Sequence, residues 1–427
     1  MKNFFLKYQN DIYYKLIFFI ISIIYASYLL ESYQLILGDK WAYNNLFLNY
    51  SAGFVRRGLL GELYITLNEI TGILPLNFFT SIFFVAYFLQ IYFFYKLLFK
   101  YKNFKIFITF ISLSPVLILF YIYDLNVFLS KDVFLNLAIL LHAYIINKNR
   151  VDEKSYKTTL YLIIIPILIL NIANHENQIF LIPFHCLLTL YYYSLKKNKS
   201  YDFKSLKPYL ILIIPIIILL TSSGSFEKLS IVNESISKFN AKIPNQFAGN
   251  FNLAIGGFIK WHFFFHDIKN FLNLFFCFSL SIYLFYIIFD YMIKYNVLII
   301  NKSFINNYLI IISPAFLILL IMLDHGRNLH LLSTHIVSFY LLLKINTIEL
   351  GKLLLKIKKN FFISRILILF LVFYLFFWHL PQGGGFTGIG NFSSLYKSSI
   401  LSELLRLFLI FFNYVDAEII NLPRIII

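Results

Sequence analysis

The sequence TTLYLIIIPILILNIANHENQIFLIPFHCLLTLYYYS, residues 158–194, decides the fold. Two apolar runs, 158–173 and 179–194, stand on either side of the polar pentapeptide NHENQ, 174–178. Each run approaches the length that crosses the ~30 Å hydrocarbon core of a bilayer. Inside lipid the backbone must satisfy its own hydrogen bonds, so such runs form helices. The segment predicts two transmembrane helices joined by a tight polar turn.

The rest of the chain repeats this pattern. Of its 427 residues, 60% are hydrophobic and 13% are charged, whereas soluble domains carry about 25% charged residues. We predict an all-α fold, a polytopic transmembrane helix bundle of about 11 spans (about 10–13), in a single integral membrane domain, 1–427. A further apolar stretch, 404–414, is too short to assign. The predicted spans lie near 16–31, 76–97, 106–123, 133–147, 158–173, 179–194, 208–222, 271–293, 308–323, 329–345 and 364–380.

The basic residues predict the orientation of the bundle. Alternate loops on the side of the N-terminus hold 24 of the 37 Lys and Arg residues. Because basic residues favour the cytoplasmic side, we expect a multi-pass membrane protein with a cytoplasmic N-terminus. The first apolar run has basic flanks like those of a signal sequence. No small-residue cleavage site follows it, so it is interpreted as an uncleaved first span.

The net charge of +17 does not indicate a nucleic-acid partner. The lysines lie in short clusters between apolar runs, where they set orientation and meet the headgroups of the lipid bilayer. Cys186 and Cys277 both fall inside apolar runs, which excludes a disulfide framework and a cysteine-ligated zinc site.

The chemistry-bearing residues are predicted to gather on the outer side of the membrane. Successive spans cross the membrane in opposite directions, and this alternation assigns six polar clusters to the outer side. The loops assigned to the inner side contain mostly lysines. We expect outer loops 32–75 and 223–270 to contribute the site. The clusters are GDKWAYN (38–44), LSKD (129–132), NHENQ (174–178), KWHFFFHD (260–267), LDHGRN (323–328) and PQGGG (381–385).

Two adjacent arginines, Arg56 and Arg57, lie in the first outer loop against the positive-inside bias. A guanidinium presents a fork of donors that matches phosphate oxygens. Nearby glycines would permit close backbone approach, and residues 54–70 have the apolar spacing of an amphipathic interfacial helix. The hypothesis is phosphate binding; the alternative is snorkelling of both side chains to lipid headgroups.

Carboxylates and histidines supply the candidate acids and bases. Asp39 could act as a general base, or it could hold a divalent cation that bridges diphosphate oxygens. This cation is the only cofactor that the sequence suggests. Alternatively, Asp39 forms an ion pair with Lys40 or Arg57, or is simply solvated. His175 and Glu176 could act as acid and base or bind a sugar; alternatively they cap a helical hairpin.

Three further clusters rank lower. Arg327 could be a second phosphate clamp with Asp324 and His325 in support, or it could form an i, i+3 pair with Asp324. Lys131 and its neighbour Asp132 are typical of an interfacial anchor, although Lys131 could also support the site. The i, i+4 histidines His262 and His266 are better explained by an interfacial helix than by zinc, so no metal ligand is assigned.

The order of these motifs resembles a known family. GDKWAYNNLF after the first span, a glycine–arginine segment, LSKDVFLNLAILL and NHENQIFLIPF are similar to the bacterial exopolysaccharide polymerases of the biofilm type, and more loosely to O-antigen polymerases. Asp39, Lys131 and His175 stand at the matching places. The first outer loop also looks like that of the C-superfamily membrane glycosyltransferases, with Asp39 at the carboxylate position.

The sequence departs from that family in two places. Lys131 stands where the polymerases usually have arginine, and loop 223–270 has no arginine where O-antigen polymerases often have one. Arg327 could take that part.

The resemblance implies glycosyl transfer in cell-surface polysaccharide assembly, from a polyprenyl-phosphate or diphosphate-linked sugar donor to a glycan acceptor. It places this reaction on the extracytoplasmic face of the bacterial cytoplasmic (inner) membrane. Other polysaccharide-assembly proteins are implied partners. The alternatives are a transferase that adds one sugar from a monophosphate carrier, a flippase for lipid-linked oligosaccharides, and a structural subunit of a cell-envelope complex.

Overall fold

The chain is mostly helical in a computed structural model. Five helices among the described residues are long and apolar enough to cross a membrane: Asn10–Ser27, Pro75–Tyr101, Glu153–Asn174, Gln178–Leu195 and Phe203–Thr221. The structure describes residues 2–35, 44–55, 57–123, 129–148, 152–197, 203–221, 226–243, 289–299, 311–316 and 325–359, with 287, 308 and 369.

The described residues of the first half of the chain include six helices. They are α1 (Lys2–Leu35), α2 (Leu59–Thr71), α3 (Pro75–Leu98, continued by a 3₁₀ turn at Phe99–Tyr101), α4 (Lys105–Ser112), α5 (Phe120–Tyr123) and α6 (Asp132–Lys148).

The second half begins with one long interrupted helix. In it, α7 (Glu153–Thr159) continues through a π turn (Leu160–Ile164) into α8 (Ile165–Asn174). The elements that follow are α9 (Gln178–Lys197), a 3₁₀ segment (Phe203–Leu212) leading into α10 (Ile213–Thr221), α11 (Phe226–Ile236) with a 3₁₀ turn (Ser237–Phe239), a 3₁₀ turn at Ser313–Phe316, α12 (His325–Tyr340) and α13 (Thr347–Lys359).

Helix α6 lies at the centre and packs against α3, α9 and α12. In lipid, helices associate through close packing and interhelical hydrogen bonds because the solvent is itself apolar. Both contributions are present here: the hydroxyl of Tyr25 on α1 donates to the carbonyl of Ile118, and the rings of Tyr25 and Tyr87 lie 5.0 Å apart. Polar side chains on α6 and α12 are therefore held inside the bundle.

One predicted span is not a continuous helix. The run 106–123 was expected to form a single helix, but α4 ends at Ser112 and α5 begins only at Phe120. Pro115 explains the break, because proline has no N–H and restricts the residue before it. The hydroxyl of Ser114 accepts a hydrogen bond from the N–H of Val116 and stabilises the turn.

The all-α expectation also misses a small strand pair. Residues Leu298–Ile299 (β1) and Lys344–Ile345 (β2) pair antiparallel, so the predicted span 329–345 ends as a helix at Tyr340. The predicted spans 271–293, 308–323 and 364–380 and the stretch 404–414 lie largely or wholly outside the described residues.

Helix α2 covers most of the segment that was predicted to form an interfacial helix. It buries Leu60 and Tyr64 against the bundle while Leu63, Leu67 and Ile70 are exposed, Ile70 by 75%. It starts five residues later than predicted, at Leu59, and ends at Gly72, whose φ of +66° provides a left-handed cap. Its location at a bilayer surface stays a prediction.

Candidate functional site

Four segments far apart in the sequence meet at one end of the bundle. They are the loop before α2, the residues just before α6, the α8–α9 turn and the start of α12. These are the segments that the alternation of spans places on one side of the membrane. Their side chains form two buried ion pairs with a histidine and a lysine beside them.

The first ion pair joins Arg57 and Glu176. The Nε atom of Arg57 donates to Oε2 of Glu176 at 2.8 Å, and a terminal guanidinium nitrogen donates to Oε1, so both carboxylate oxygens are engaged. Glu176 is 1% exposed and Arg57 is partly buried. Arg57 has a φ of +67°, a left-handed conformation uncommon for a residue with a side chain. The backbone therefore turns sharply where it delivers this guanidinium.

The second ion pair joins Arg327 at the start of α12 to Asp132 at the start of α6. Nε of Arg327 donates to Oδ2 of Asp132 at 2.7 Å, and a terminal nitrogen donates to the Ser130 hydroxyl at 3.0 Å. That hydroxyl in turn donates to Oδ2 of Asp132 at 2.8 Å. These contacts tie the two helix starts together.

His175 lies between the two pairs. Its Nδ1 atom accepts the backbone N–H of Asn177 at 3.2 Å, and Nε2 lies 3.3 Å from Oδ1 of Asp132. In the neutral ring, assigned from these bonds, the hydrogen is therefore on Nε2 and faces Asp132. The hydrogen bond with Asn177 orients the ring, and Nε2 lies beside both Asp132 and, at 3.5 Å, a terminal nitrogen of Arg327.

Lys131 completes the cluster. Its ammonium donates to the backbone carbonyl of Arg57 at 2.6 Å, and the residue is 3% exposed. This bond fixes the strained turn at Arg57 from the side of α6. The predicted supporting role of Lys131 thus has a physical basis in a direct contact with the arginine loop.

The buried cluster shifts the pKa of several members. Burial, followed by the nearby Arg57, lowers the pKa of Lys131 to about 7 and that of His175 to about 4. Burial alone would raise the pKa of Asp132, but Arg327 and His175 outweigh it and hold the pKa below its usual range. At neutral pH, Asp132 is therefore ionised and His175 is neutral, and Lys131 loses its proton more readily than an exposed lysine.

The glycines of this loop serve packing within the chain. A Cβ atom on Gly58 would overlap the ring of Tyr50, and one on Gly61 would overlap the carbonyl of Leu48. The space that these glycines leave, expected from the sequence to admit a ligand, is filled by the protein itself. Gly53 is needed for another reason, a φ of +82°.

The two predicted site loops contact each other. The Asn49 side chain donates to the Ser235 hydroxyl at 3.0 Å, and the rings of Phe47 and Phe239 stack at 5.6 Å. Loop 32–75 is therefore anchored on loop 223–270 through α11 and the turn after it.

Several predicted site residues lie outside the described residues. These are Asp39, Arg56, Asp324, the side chain of His325, and the histidines His262 and His266. Within the described part of the chain, no group of three or more His, Cys, Asp or Glu residues could hold a metal ion.

Sequence reasoning missed the importance of Asp132, which it treated with Lys131 as an interfacial anchor. The available signal was Asn136, one helical turn further along α6. The Asn136 amide donates to the Tyr121 hydroxyl at 3.0 Å and to Nε2 of His330 at 2.7 Å, and His330 donates from Nδ1 to the Val116 carbonyl. A charged and an amide side chain on one face of an apolar helix indicate a polar interior.

The arrangement favours an anionic ligand. Arg57, Arg327 and Lys131 face two carboxylates, Asp132 and Glu176, within a buried region at the end of apolar helices. Guanidinium forks at such a place can hold phosphate oxygens, and the carboxylates can accept a proton.

Comparisons with protein-family models, with curated proteins and with solved structures find no match to this chain.

Proposed function

We propose that this protein is a membrane-embedded glycosyltransferase, a polysaccharide polymerase that uses a polyprenyl-diphosphate-linked sugar on the outer face of the bacterial cytoplasmic membrane. The observation that carries the proposal is the convergence of Arg57, Lys131 and Arg327 with Asp132 and Glu176 at one end of the bundle. The order of motifs in the sequence supports the same activity.

The chemistry of the donor suits this cluster. A polyprenyl diphosphate is apolar along its chain and anionic at its head, so its site should combine a bilayer boundary with fixed positive charge. Arginine supplies that charge in a form that stays ionised when buried and that matches two phosphate oxygens at once.

Donor binding would also release a base. In the structure both oxygens of Glu176 are occupied by Arg57. A diphosphate that takes the Arg57 fork removes these two hydrogen bonds from the Glu176 carboxylate, which can then act as a proton acceptor. Asp39 is the second candidate base.

The proposed step is a single displacement. The acceptor hydroxyl attacks the anomeric carbon of the donor sugar and gives its proton to the carboxylate. The bond from the anomeric carbon to the phosphate oxygen breaks, and its electron pair stays on the lipid diphosphate, where Arg57 and Arg327 stabilise the negative charge.

A second candidate function is transport of a lipid-linked oligosaccharide. The observation in its favour is the helix break at 113–119, because transporters commonly use broken helices and buried polar residues inside the bundle. A single-sugar transferase that uses a monophosphate carrier is the third reading.

One experiment separates the three. The full chain, purified into lipid nanodiscs, is incubated with a diphosphate-linked oligosaccharide or a monophosphate-linked sugar, each with acceptor. Polymer from the first donor supports the proposal, and addition of one sugar from the second supports the simple transferase. Movement of labelled lipid across vesicles without a new glycosidic bond supports the flippase.

The matched variants are Arg57→Ala and Lys102→Ala. Lys102 pairs with Asp11 at 2.8 Å in a partly exposed salt bridge that does not involve the site residues. Loss of product in Arg57→Ala with full product in Lys102→Ala is expected. Equal product from the two variants would contradict the proposal.

A further inference from the structure

A second polar cluster lies inside the bundle, further along the helices that form the site. It contains three histidines from three helices, His142 on α6, His185 on α9 and His335 on α12, all 0% exposed. Ionisable side chains at this depth are costly and usually have a function. The same cluster includes the hydroxyl groups of Tyr156, Thr189 and Tyr209.

The hydrogen bonds of this cluster have a fixed direction. The Tyr209 hydroxyl donates to the carbonyl of His185, so it must accept from Thr189 at 2.9 Å. Thr189 then accepts from the Tyr156 hydroxyl at 2.9 Å, which in turn accepts from Nε2 of His142 at 3.0 Å. Each hydroxyl has a single hydrogen, so no other order satisfies the chain.

This order fixes the tautomers of the histidines. A neutral His142 with its hydrogen on Nε2 has a lone pair on Nδ1, which lies 3.1 Å from Nδ1 of His185. His185 must therefore donate from Nδ1, and its Nε2 is left with a lone pair and no hydrogen-bond partner among the described residues. His335 donates from Nδ1 to the Leu331 carbonyl, and its Nε2 is likewise without a partner there.

Two bare imidazole lone pairs therefore occur close together in the interior, on rings whose centroids lie 6.1 Å apart. A buried acceptor without a donor costs roughly 1–3 kcal/mol. The two Nε2 atoms therefore need a hydrogen donor, and a water molecule or a hydrated proton can act as that donor.

Two hydroxyl groups lie on α12 between this pair and His330, which is one helical turn from Arg327 of the site. Ser333 and Thr334 lie on α12 between His330 and His335, and both hydroxyls are buried without a partner among the described residues. They bridge a gap of about 8 Å along the helix, at 1.5 Å per residue. Polar atoms in such a row are the usual hosts of internal water.

The groups that face the pair leave an added proton without a counter-charge. The titratable neighbours are His142, Tyr156, Cys186, Tyr209 and His330. Of the described groups that act electrostatically on either ring, none is a carboxylate. No ion pair stabilises an added proton on either ring, so the charged state of the pair is short-lived.

We propose that this protein conducts protons through its interior, from the site along water held by Ser333 and Thr334 to His335 and His185, and then through His142, Tyr156, Thr189 and Tyr209. A proton binds Nε2 of His185 while its Nδ1 proton moves to His142. Each following group gives its own hydrogen to the next. The Tyr209 hydroxyl breaks its hydrogen bond to the His185 carbonyl and gives its hydrogen to water at the other end of the bundle. One proton enters, one leaves, and every tautomer in the chain is reversed.

The proposal does not rest on glycosyl transfer, and its assay contains no sugar donor. The full chain is reconstituted into vesicles that enclose a pH-sensitive dye, a potassium diffusion potential is applied, and internal pH is followed. Proton flux above that of protein-free vesicles is expected. Flux equal to that of protein-free vesicles overturns the proposal.

Matched variants test the route. Thr334→Val removes the hydroxyl of the water path and Thr189→Val interrupts the chain; both should lower the flux several-fold. Ser338→Ala is the control, because the Ser338 hydroxyl donates only within its own helix, to the Thr334 carbonyl. Equal flux in Thr189→Val and Ser338→Ala overturns the proposed route.

A measurement on the unaltered protein covers the case in which a variant fails to fold. Nitrogen NMR of labelled histidines in nanodiscs at neutral pH should show His185 with its hydrogen on Nδ1 and a bare Nε2. A hydrogen on Nε2 of His185 contradicts the chain. Binding of one Zn²⁺ per protein that is lost in His185→Gln would make the pair a metal site and would also overturn the proposal.

Discussion

Glu176 receives both donors of the Arg57 guanidinium fork across 119 residues of sequence. The pair joins the loop before α2 to the α8–α9 turn, and the carboxylate is almost fully buried. The loop that bears the tandem arginines is thereby fixed to the hairpin that defines the fold. The fold and the candidate site depend on the same contact.

Replacing Glu176 by glutamine should destabilise the protein. The substitution leaves Arg57 without its carboxylate in a largely buried position, and breaking a buried pair from one side costs about 3–5 kcal/mol. Unfolding of the purified protein in detergent, followed by circular dichroism, measures the loss. Lys102→Ala breaks the partly exposed pair with Asp11 and should cost only about 0–1 kcal/mol. If both variants lost the same free energy of unfolding, the Arg57–Glu176 pair would stabilise the protein no more than the partly exposed Lys102–Asp11 pair.

Replacing Arg327 by lysine should impair transfer more than folding. Lysine keeps the charge but cannot hold Asp132 and Ser130 with one planar fork. If Arg327 stabilises the departing phosphate, the rate of polymer formation falls about a hundredfold. The rate is measured with saturating donor, with Lys102→Ala as the reference. A rate within about twofold of the unaltered protein would remove Arg327 from the mechanism.

Lys131 should make stability rise with pH. Burial and Arg57 lower its pKa from 10.5 to about 7 in the folded protein. Between these two values the unfolded chain binds the proton and the folded protein does not, so raising the pH favours folding, by at most about 1.4 kcal/mol per pH unit. Melting temperatures at pH 7 and pH 9 of the unaltered protein and Lys131→Met test this.

The expected result is a weaker pH dependence in Lys131→Met. Lys154→Met replaces an exposed lysine and should keep the dependence of the unaltered protein. Identical pH profiles for Lys131→Met and Lys154→Met would place Lys131 in a hydrated position and contradict the buried contact with Arg57.

Gly61→Ala should be destabilising, by about 1–3 kcal/mol, because its methyl group would overlap the Leu48 carbonyl and push the site loop away from α2. Gly351→Ala provides the matched control. A Cβ there meets open space in the interior of α13, so it should stabilise by about 0.5–1 kcal/mol. Thermal unfolding of both variants measures the difference, and the same sign in both would refute the packing argument.

Much of the bundle could be predicted from hydropathy alone. The apolar runs at 76–97, 158–173, 179–194 and 208–222 correspond to long helices within one or a few residues, because lipid leaves the backbone no other choice. The prediction of one continuous helix over 106–123 was wrong, because hydropathy takes no account of the missing backbone N–H of Pro115.

The site could be predicted in part. Alternation of the spans was enough to group Arg57, Lys131, His175, Glu176 and Arg327 at one end of the bundle, where the structure brings them into contact. Which cation meets which carboxylate depends on tertiary geometry. Arg327 pairs with Asp132, whereas the alternative partner Asp324 lies outside the described residues. Asp132 was missed because a Lys–Asp step at a helix start is common at membrane edges.

The π turn at Leu160–Ile164 sets the rotation, about the helix axis, of the candidate site relative to the buried histidine cluster. It lies on the one helical stretch that has Tyr156 near its start and ends in the His175–Glu176 turn. Removing a single residue from the turn would rotate everything beyond it by about 100°. Tyr156 could then stay against His142, or Glu176 against Arg57, but not both. The extra residue that the π turn accommodates thus lets one helical stretch contribute Tyr156 to the histidine cluster and Glu176 to the candidate site.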